Sequence, residues 1–225
     1  MSRVILGVLG YVALFGALLL LPGGDFSWLQ AWILLATLMV VRLVGDLRVF
    51  RINASLARER QRLPIQSGQP LLDRFLLAIF MTTFSGLLAF VSVDHARLHL
   101  LPPPPAAIAA LGLVVFVAGW ALAVHALVVN AFAVTVVRHQ QERKHQLVDR
   151  GAYRLVRHPM YLGVVAVIFG TGLWLRSTAG LIAALLPACV LIVRITVEER
   201  LLTLSLPGYA EYRSQVPYRL VPGLW

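Results

Sequence analysis

The sequence contains few charged residues and a single cysteine. Charged side chains make up 13% of its 225 residues, whereas soluble proteins carry about 25%. The one cysteine, Cys189, allows neither an internal disulfide bond nor a thiolate cluster for zinc. The Gly-x-Gly-x-x-Gly pattern of many dinucleotide-binding proteins is also absent. These deficits argue against a soluble enzyme, a disulfide-stapled secreted domain and a zinc ribbon.

Long apolar runs dominate instead. Hydrophobic residues make up 59% of the chain, and its mean hydropathy is +0.81. The first run, residues 4–21, is uncharged and long enough to span a bilayer as a helix. No small-residue cleavage site follows it, so we expect it to remain in the protein. Comparable runs cover residues 28–44, 75–93, 106–137, 160–175 and 178–197. The sequence therefore predicts an all-α, polytopic membrane helical bundle with about six transmembrane helices.

Basic residues are distributed unevenly between the loops. Of the 20 Lys and Arg residues, 18 fall in loops that six spans would place on one side. Because basic loops stay in the cytosol, we expect both termini and this side to be cytosolic, in a bacterial inner membrane. The arginine-rich stretch 48–63 has apolar residues at helical spacing, which indicates an amphipathic helix on anionic lipid. Membrane lipids, and no nucleic acid, are the partners that this charge predicts.

Two further features concern helix length and metal binding. Residues 106–137 contain no proline and would form a helix of about 48 Å, longer than the roughly 30 Å hydrocarbon core. Such a helix must either tilt or project its end, residues 130–137, into the cytosol. His95 and His99 have the spacing of a helical metal pair, but only Asp94 lies nearby as a third ligand. We expect no metal site.

Polar residues gather in two places beside the apolar runs. One is residues 145–161, HQLVDRGAYRLVRHPMY, and the other is residues 194–199, RITVEE. Charges so close to membrane spans are costly unless they bind something. The motifs His-x-Leu-Val, Gly-x-Tyr, Arg-His-Pro-x-Tyr-x-Gly and Arg-x-x-x-Glu-Glu occur here in that order. In this the chain resembles the isoprenylcysteine carboxyl methyltransferase family and its bacterial relatives, including phospholipid N-methyltransferases. The resemblance covers roughly the last 100 residues.

The resemblance implies an S-adenosyl-L-methionine pocket on the cytosolic side. By this resemblance Arg194 and Glu198 would be catalytic, and Arg194 would hold an anionic group of the substrate. Glu199 would either orient Arg194 or face solvent. The family often has a glutamine that reaches the cofactor near the end of the preceding helix, where this chain has Arg138, followed by Gln140 and Gln141. The implied cofactor-binding residues are His145, Gln146, Leu147, Val148, Tyr153, His158, Pro159, Met160, Tyr161 and Glu198.

Local chemistry suits these assignments. Gly151 permits a tight turn, and Pro159 disfavours helix at the residue before it, which predicts a helix start at His158. The amides of residues 160–162 would then face the cofactor carboxylate. Leu147 and Val148 would provide apolar walls for the adenine. The rings of Tyr153 and Tyr161 would offer aromatic faces to the sulfonium.

The sequence thus predicts a membrane methyltransferase with a lipophilic acceptor. A guanidinium at the transfer site favours a carboxylate, as in a prenylcysteine-like molecule. A phospholipid amine and a small thiol are alternatives within the same fold. Two other classes remain open, an NADPH-dependent sterol or enone reductase and a non-enzymatic membrane scaffold. We expect a single domain, residues 1–225, in which residues 1–105 form the acceptor-side scaffold and residues 106–225 the catalytic core.

Overall fold

A computed structural model describes residues 2–60, 65–66, 68–138, 140–143 and 145–225, apart from the side chains of residues 2, 3 and 141. Within these ranges the regular structure is entirely helical, which confirms the all-α prediction. The helices are α1 (Ser2–Leu20), α2 (Leu29–Ile52), α3 (Ala54–Arg60), α4 (Leu71–Val93), α5 (Ala106–Val129), α6 (Pro159–Trp174), α7 (Thr178–Ala183), α8 (Leu185–Ser205) and α9 (Tyr209–Gln215).

Helices occupy each of the six predicted runs. In the described part of the chain, three are long and apolar enough to cross a membrane, over Leu71–Leu98, Ala106–Val129 and Thr178–Ser205. Val4–Leu20 and Pro159–Trp174 are shorter apolar helices. These features support a multi-pass membrane protein. The total of six spans and the cytosolic location of the termini stay predictions.

Two predicted boundaries are wrong. Helix α5 ends at Val129, because the Asn130 side chain accepts a hydrogen bond from the Phe132 amide and turns the chain inward. The expected helical extension over residues 130–137 is therefore a loop. Likewise, α2 continues to Ile52 and breaks at Asn53, whose side chain accepts from the Leu56 amide at the start of α3. The predicted amphipathic helix over 48–63 is thus divided, and its residues 61–64 lie outside the described part.

Helices α5 and α6 pack with their backbones in contact. Glycines recur seven residues apart on both helices, at Gly112 and Gly119 on α5 and at Gly163 and Gly170 on α6. A Cβ on Gly163 would lie 2.6 Å from the Gly119 carbonyl oxygen, and the reverse substitution would clash equally. Small residues permit this close approach in membrane bundles. The contact fixes the first turns of α6, where the first polar motif ends.

The loops form two separate polar ends. At one end Ser177 donates a hydrogen bond to buried Asp94 (2.6 Å), and the Gly23 amide donates to Ser92. The opposite end brings together the described residues of three basic stretches, residues 48–74, 138–157 and those from 194 onward. Arg60 there contacts the loop after α5, and Arg194 contacts the first turn of α4. The two motif stretches therefore lie at one end of the bundle.

This arrangement predicts how the chain sits in the membrane. In a Cys189→Ala background, single cysteines at the exposed positions Asp149, Gln215 and His99 should react with an impermeant maleimide in sealed vesicles. Cysteines at Asp149 and Gln215 should react from the cytosolic face, and a cysteine at His99 from the other, because 18 of 20 basic residues share the first side. Labelling of Asp149 and His99 from one face would contradict the predicted topology.

Candidate active site

A cavity opens at the basic end of the bundle. Together with its open mouth it contains about 790 Å³ of empty space. Its walls come from the loop after α5, the segment before α6, the first turn of α6, the end of α8, and α9. Nine of the ten implied cofactor residues line it: His145, Gln146, Leu147, Val148, Tyr153, His158, Met160, Tyr161 and Glu198. Pro159 and Arg194 do not.

The segment before α6 owes its path to one glycine. Gly151 has a φ of +62° and opens a short 3-10 turn over Gly151–Arg154. A Cβ there would also lie 2.9 Å from Nε2 of His125 on α5. The predicted tight turn is therefore confirmed. It buries Tyr153, whose carbonyl accepts a hydrogen bond from the Tyr212 hydroxyl (2.7 Å). Burial raises the pKa of Tyr153, so its phenol stays protonated at neutral pH.

The start of α6 matches the predicted helix start only in part. His158 is the N-cap residue and Pro159 occupies the first helical position. The Leu162 amide donates to the His158 carbonyl (3.1 Å), so it is not free for a ligand. The amides of Met160 and Tyr161 precede the first intrahelical bond, and both residues line the cavity. Two amides, rather than the expected three, are left to face a bound anion.

Glu199 is the centre of a buried ion cluster. Its Oε1 accepts from Arg157 Nε (2.6 Å) and lies 3.2 Å from His158 Nε2, while Oε2 accepts from Arg219 Nε (2.9 Å). The residue is only 3% exposed. Both expectations for Glu199 are therefore wrong, since it neither faces solvent nor orients Arg194. Its partners join α8 to the start of α6 and to the C-terminal segment.

Glu198 points to the opposite side. Its Oε2 accepts a hydrogen bond from the Tyr161 hydroxyl (2.7 Å), and both residues line the cavity. Successive residues on a helix project about 100° apart, which explains how neighbouring glutamates reach different surroundings. Glu198 thus provides the cavity with a carboxylate, while Glu199 holds its wall.

Arg194 makes a buried contact outside the cavity lining. Its Nε donates to Asp73 Oδ1 (2.8 Å), and its Nη2 donates to the Thr135 carbonyl (2.6 Å). Asp73 is completely buried and also accepts from the Val137 amide (3.0 Å) and from Gln69. The pair therefore fastens the loop after α5, which lines the cavity, to α4. The predicted contact of Arg194 with an acceptor anion stays a prediction.

Sequence reasoning missed a large part of the wall. Arg138 is held by Glu142 and Glu59, and Gln140 donates to the Phe132 carbonyl. The Tyr209 hydroxyl is buried without a hydrogen-bond partner among the described residues. A signal existed for α9, since Tyr209 and Tyr212 stand three residues apart on one helix face. The missed lining residues are Asn130, Phe132, Ala133, Val134, Val136, Val137, Arg138, Gln140, Arg157, Leu201, Leu202, Leu206, Tyr209 and Tyr212.

Residues 107–205 match the phospholipid methyltransferase family model. This confirms the family resemblance over helices α5–α8 and supports a membrane methyltransferase. The matched segment includes both polar motifs and all of the cavity wall except Leu206 and α9. No curated protein matches the chain.

Proposed function

We propose that the cavity binds S-adenosyl-L-methionine and directs its methyl group to a lipid-tailed acceptor. One observation carries the proposal. Nine residues from two motifs separated by a helical hairpin, assigned to the cofactor by sequence resemblance alone, line a single cavity. The family match over residues 107–205 supports the same chemistry. By this proposal residues 106–225 are the catalytic core, and the cavity faces the cytosol.

The polar and apolar groups of the cavity fit the proposed cofactor. S-adenosyl-L-methionine has a sulfonium, an ammonium, a carboxylate and an adenine. The Met160 and Tyr161 amides at the start of α6 suit the carboxylate, and the Glu198 carboxylate suits the ammonium. Leu147 and Val148 offer apolar surface for the adenine. The Tyr209 hydroxyl is buried without a partner among the residues that the structure describes, and a bound ligand would supply one.

When bound, the cofactor supplies an activated methyl group on a positively charged sulfur. The protein must hold the acceptor in line with that methyl and exclude water. Tyr161 fixes Glu198 through its hydroxyl, and Glu199 fixes the His158 ring. A carboxylate acceptor needs no base because it is ionised at pH 7, whereas an amine or thiol must lose a proton. Glu198 is the carboxylate in the cavity that could take that proton.

Arg194 and the family match favour different acceptors. The sequence favours a prenylcysteine-like carboxylate because of Arg194, but the Nε and Nη2 of this residue already donate to Asp73 and to the Thr135 carbonyl. The matched family favours a phospholipid headgroup instead. We therefore propose a lipid-tailed acceptor, with a phospholipid amine and a prenylcysteine carboxylate as the two candidates. Labelled methyl transfer to phosphatidylethanolamine and to N-acetyl-S-farnesylcysteine, assayed in parallel in detergent micelles, separates them.

Two substitutions test the cofactor assignment. Glu198→Gln and His158→Ala should each weaken S-adenosyl-L-methionine binding by about 10- to 150-fold, the value of one charge-assisted hydrogen bond. Calorimetric titration of the purified protein measures the affinity, and the thermal unfolding midpoint shows whether the fold is kept. Glu211→Gln, at an exposed position on α9, is the control and should bind like wild type. Unchanged affinity in both test variants would refute the cofactor assignment.

A further inference from the structure

A second polar cluster lies between the cavity and the middle of the bundle. Arg42 forms an ion pair with Asp46 one turn further along α2 (2.9 Å). The Arg42 guanidinium lies over the ring of Tyr11 on α1 (4.5 Å) and over that of Trp120 on α5 (5.2 Å). We call these four residues, together with Arg60 on α3, the inner basic cluster. It belongs mainly to the half of the chain outside the family match.

The cluster lies deep in the bundle. Tyr11 is nine residues from the start of α1, Arg42 ten from the end of α2, and Trp120 nine from the end of α5. At 1.5 Å per residue, all three lie about 14–15 Å from the polar end of their helices. The side chains of Arg42 and Asp46 are nevertheless 22% and 33% exposed. A charged pair that lies well inside a bundle of apolar helices is a functional-site candidate by default.

Arg60 connects the cluster to the cavity. Its Nη1 donates to the Ala133 carbonyl (2.8 Å) and approaches Met160 Sδ (3.8 Å), and both residues line the cavity. Asp46 interacts electrostatically with Arg60 as well as with Arg42. A continuous series of charges therefore leads from the cavity wall to the middle of the bundle.

The cluster has unused hydrogen-bond donors and an unbalanced charge. Arg42 Nε and Trp120 Nε1 are buried, and neither finds an acceptor in the described part of the chain. The remaining two nitrogens of Arg60 likewise make no hydrogen bond to the described residues. Two guanidinium groups face one carboxylate, so one positive charge is left over. Donors and charge of this kind are satisfied by an oxyanion.

We propose that Arg60 and Arg42 bind the anionic group of a lipid-tailed molecule beside the cofactor cavity. Its apolar tail extends into the surrounding bilayer past α1, α2 and α5. The ligand class is a phosphate or carboxylate on a lipid tail, as found in both candidate acceptors. This inference rests on the proposed function for its catalytic meaning. It assigns to Arg60 and Arg42 the contact with the anionic group that the sequence predicts for Arg194, in line with the acceptor-side role predicted for residues 1–105.

Direct binding tests the site without methyl transfer. The probes are dihexanoylphosphatidic acid, N-acetyl-S-farnesylcysteine, inorganic phosphate and the uncharged dihexanoylglycerol, titrated into the purified protein in a neutral detergent. The first two separate phosphate from carboxylate, and inorganic phosphate shows whether the tail is needed. Wild type should bind at least one of the two anionic lipids, and bind it more tightly than either of the last two probes. Tighter binding of inorganic phosphate would overturn the proposal for a lipid ligand.

The variants are Arg60→Gln and the charge-balanced Arg42→Gln/Asp46→Asn. Each should weaken anionic-lipid binding by about 10- to 150-fold and leave dihexanoylglycerol binding unchanged. Arg58→Gln, an exposed position on the same short helix, is the matched control and should bind like wild type. If Arg60→Gln unfolds, Arg60→Lys keeps the charge without the planar fork and should bind with intermediate affinity. Equal affinities in Arg60→Gln and Arg58→Gln would show that the cluster only braces the helices, and would overturn the proposal.

Titration of S-adenosyl-L-methionine into the same proteins separates the two proposals. Cofactor affinity should be similar in wild type and Arg58→Gln. In Arg60→Gln it should fall by much less than anionic-lipid affinity, because Arg60 contacts the wall residues Ala133 and Met160 but does not itself line the cavity. Arg60-dependent lipid binding without any cofactor binding would refute the methyltransferase function and leave the lipid site standing. Cofactor binding and methyl transfer at wild-type levels in Arg60→Gln would refute the lipid site and leave the methyltransferase function standing.

Discussion

Asp73→Asn is expected to lower the free energy of unfolding by about 3–5 kcal/mol, because it leaves the buried Arg194 guanidinium without its counter-charge. Asp73 is fully buried and accepts from both Arg194 and the Val137 amide. Denaturation of the purified protein, followed by intrinsic fluorescence, measures the loss. The loop after α5 should also loosen, so cofactor affinity should fall in the same variant.

The control for this prediction is Asp149→Asn, at an exposed position without a described partner. Its stability should stay within about 0.5 kcal/mol of wild type. The double variant Asp73→Asn/Arg194→Gln removes both buried charges and should recover most of the lost stability. If the double variant does not regain stability, the loop after α5 is held by the packing of the two side chains rather than by their charges. A single variant as stable as the control would contradict the buried ion pair itself.

Glu199→Gln is expected to abolish cofactor binding while Glu198→Gln only weakens it. Glu199 binds Arg157, His158 and Arg219 from three separate segments. Loss of its charge leaves the buried Arg157 guanidinium uncompensated, at a cost of about 3–5 kcal/mol. The wall formed by the start of α6 should then separate from the C-terminal segment.

Hydrogen exchange locates this effect. The Arg157 and His158 amides donate to the Tyr218 and Arg219 carbonyls (2.9 Å each). Peptides covering these amides should exchange faster in Glu199→Gln than in wild type, and stay protected in Glu198→Gln. Equal protection of these amides in both variants would show that the C-terminal segment is held without the ion cluster.

The helices were predictable because bilayer thickness imposes a length and an apolar composition on them. The end of α5 was not, since residues 131–137 are apolar except for Thr135 and continue the same run. Asn130 caps the helix end locally, but the loop that follows is held by the Val137 amide, which donates a hydrogen bond to Asp73, 64 residues upstream. No local pattern carries that information.

The same limit applied to the charged residues of the second motif. Arg194 has Glu198 four residues later, the spacing of a helical ion pair, yet its partner is Asp73, 121 residues away. Glu198 and Glu199 have the same chemistry and adjacent positions, so the sequence could not show which of them lines the cavity and which forms the ion cluster. The division depends on where Tyr161 and Arg157 lie around α8. The His145–Tyr161 stretch was predictable because its motif series is specific.

The ion cluster also sets the order in which a newly made chain becomes competent. Arg157 is held by Glu199, 42 residues later, and by the Val216 carbonyl, 59 residues later. At a synthesis rate of about 5–20 residues per second, the second partner follows Arg157 by about 3–12 s. During that interval the Arg157 guanidinium lacks this partner, and the ligand site that it helps to hold is incomplete. We expect a nascent chain halted before residue 216 to insert its helices yet to lack the ligand pocket, so that competence is the last step of biosynthesis.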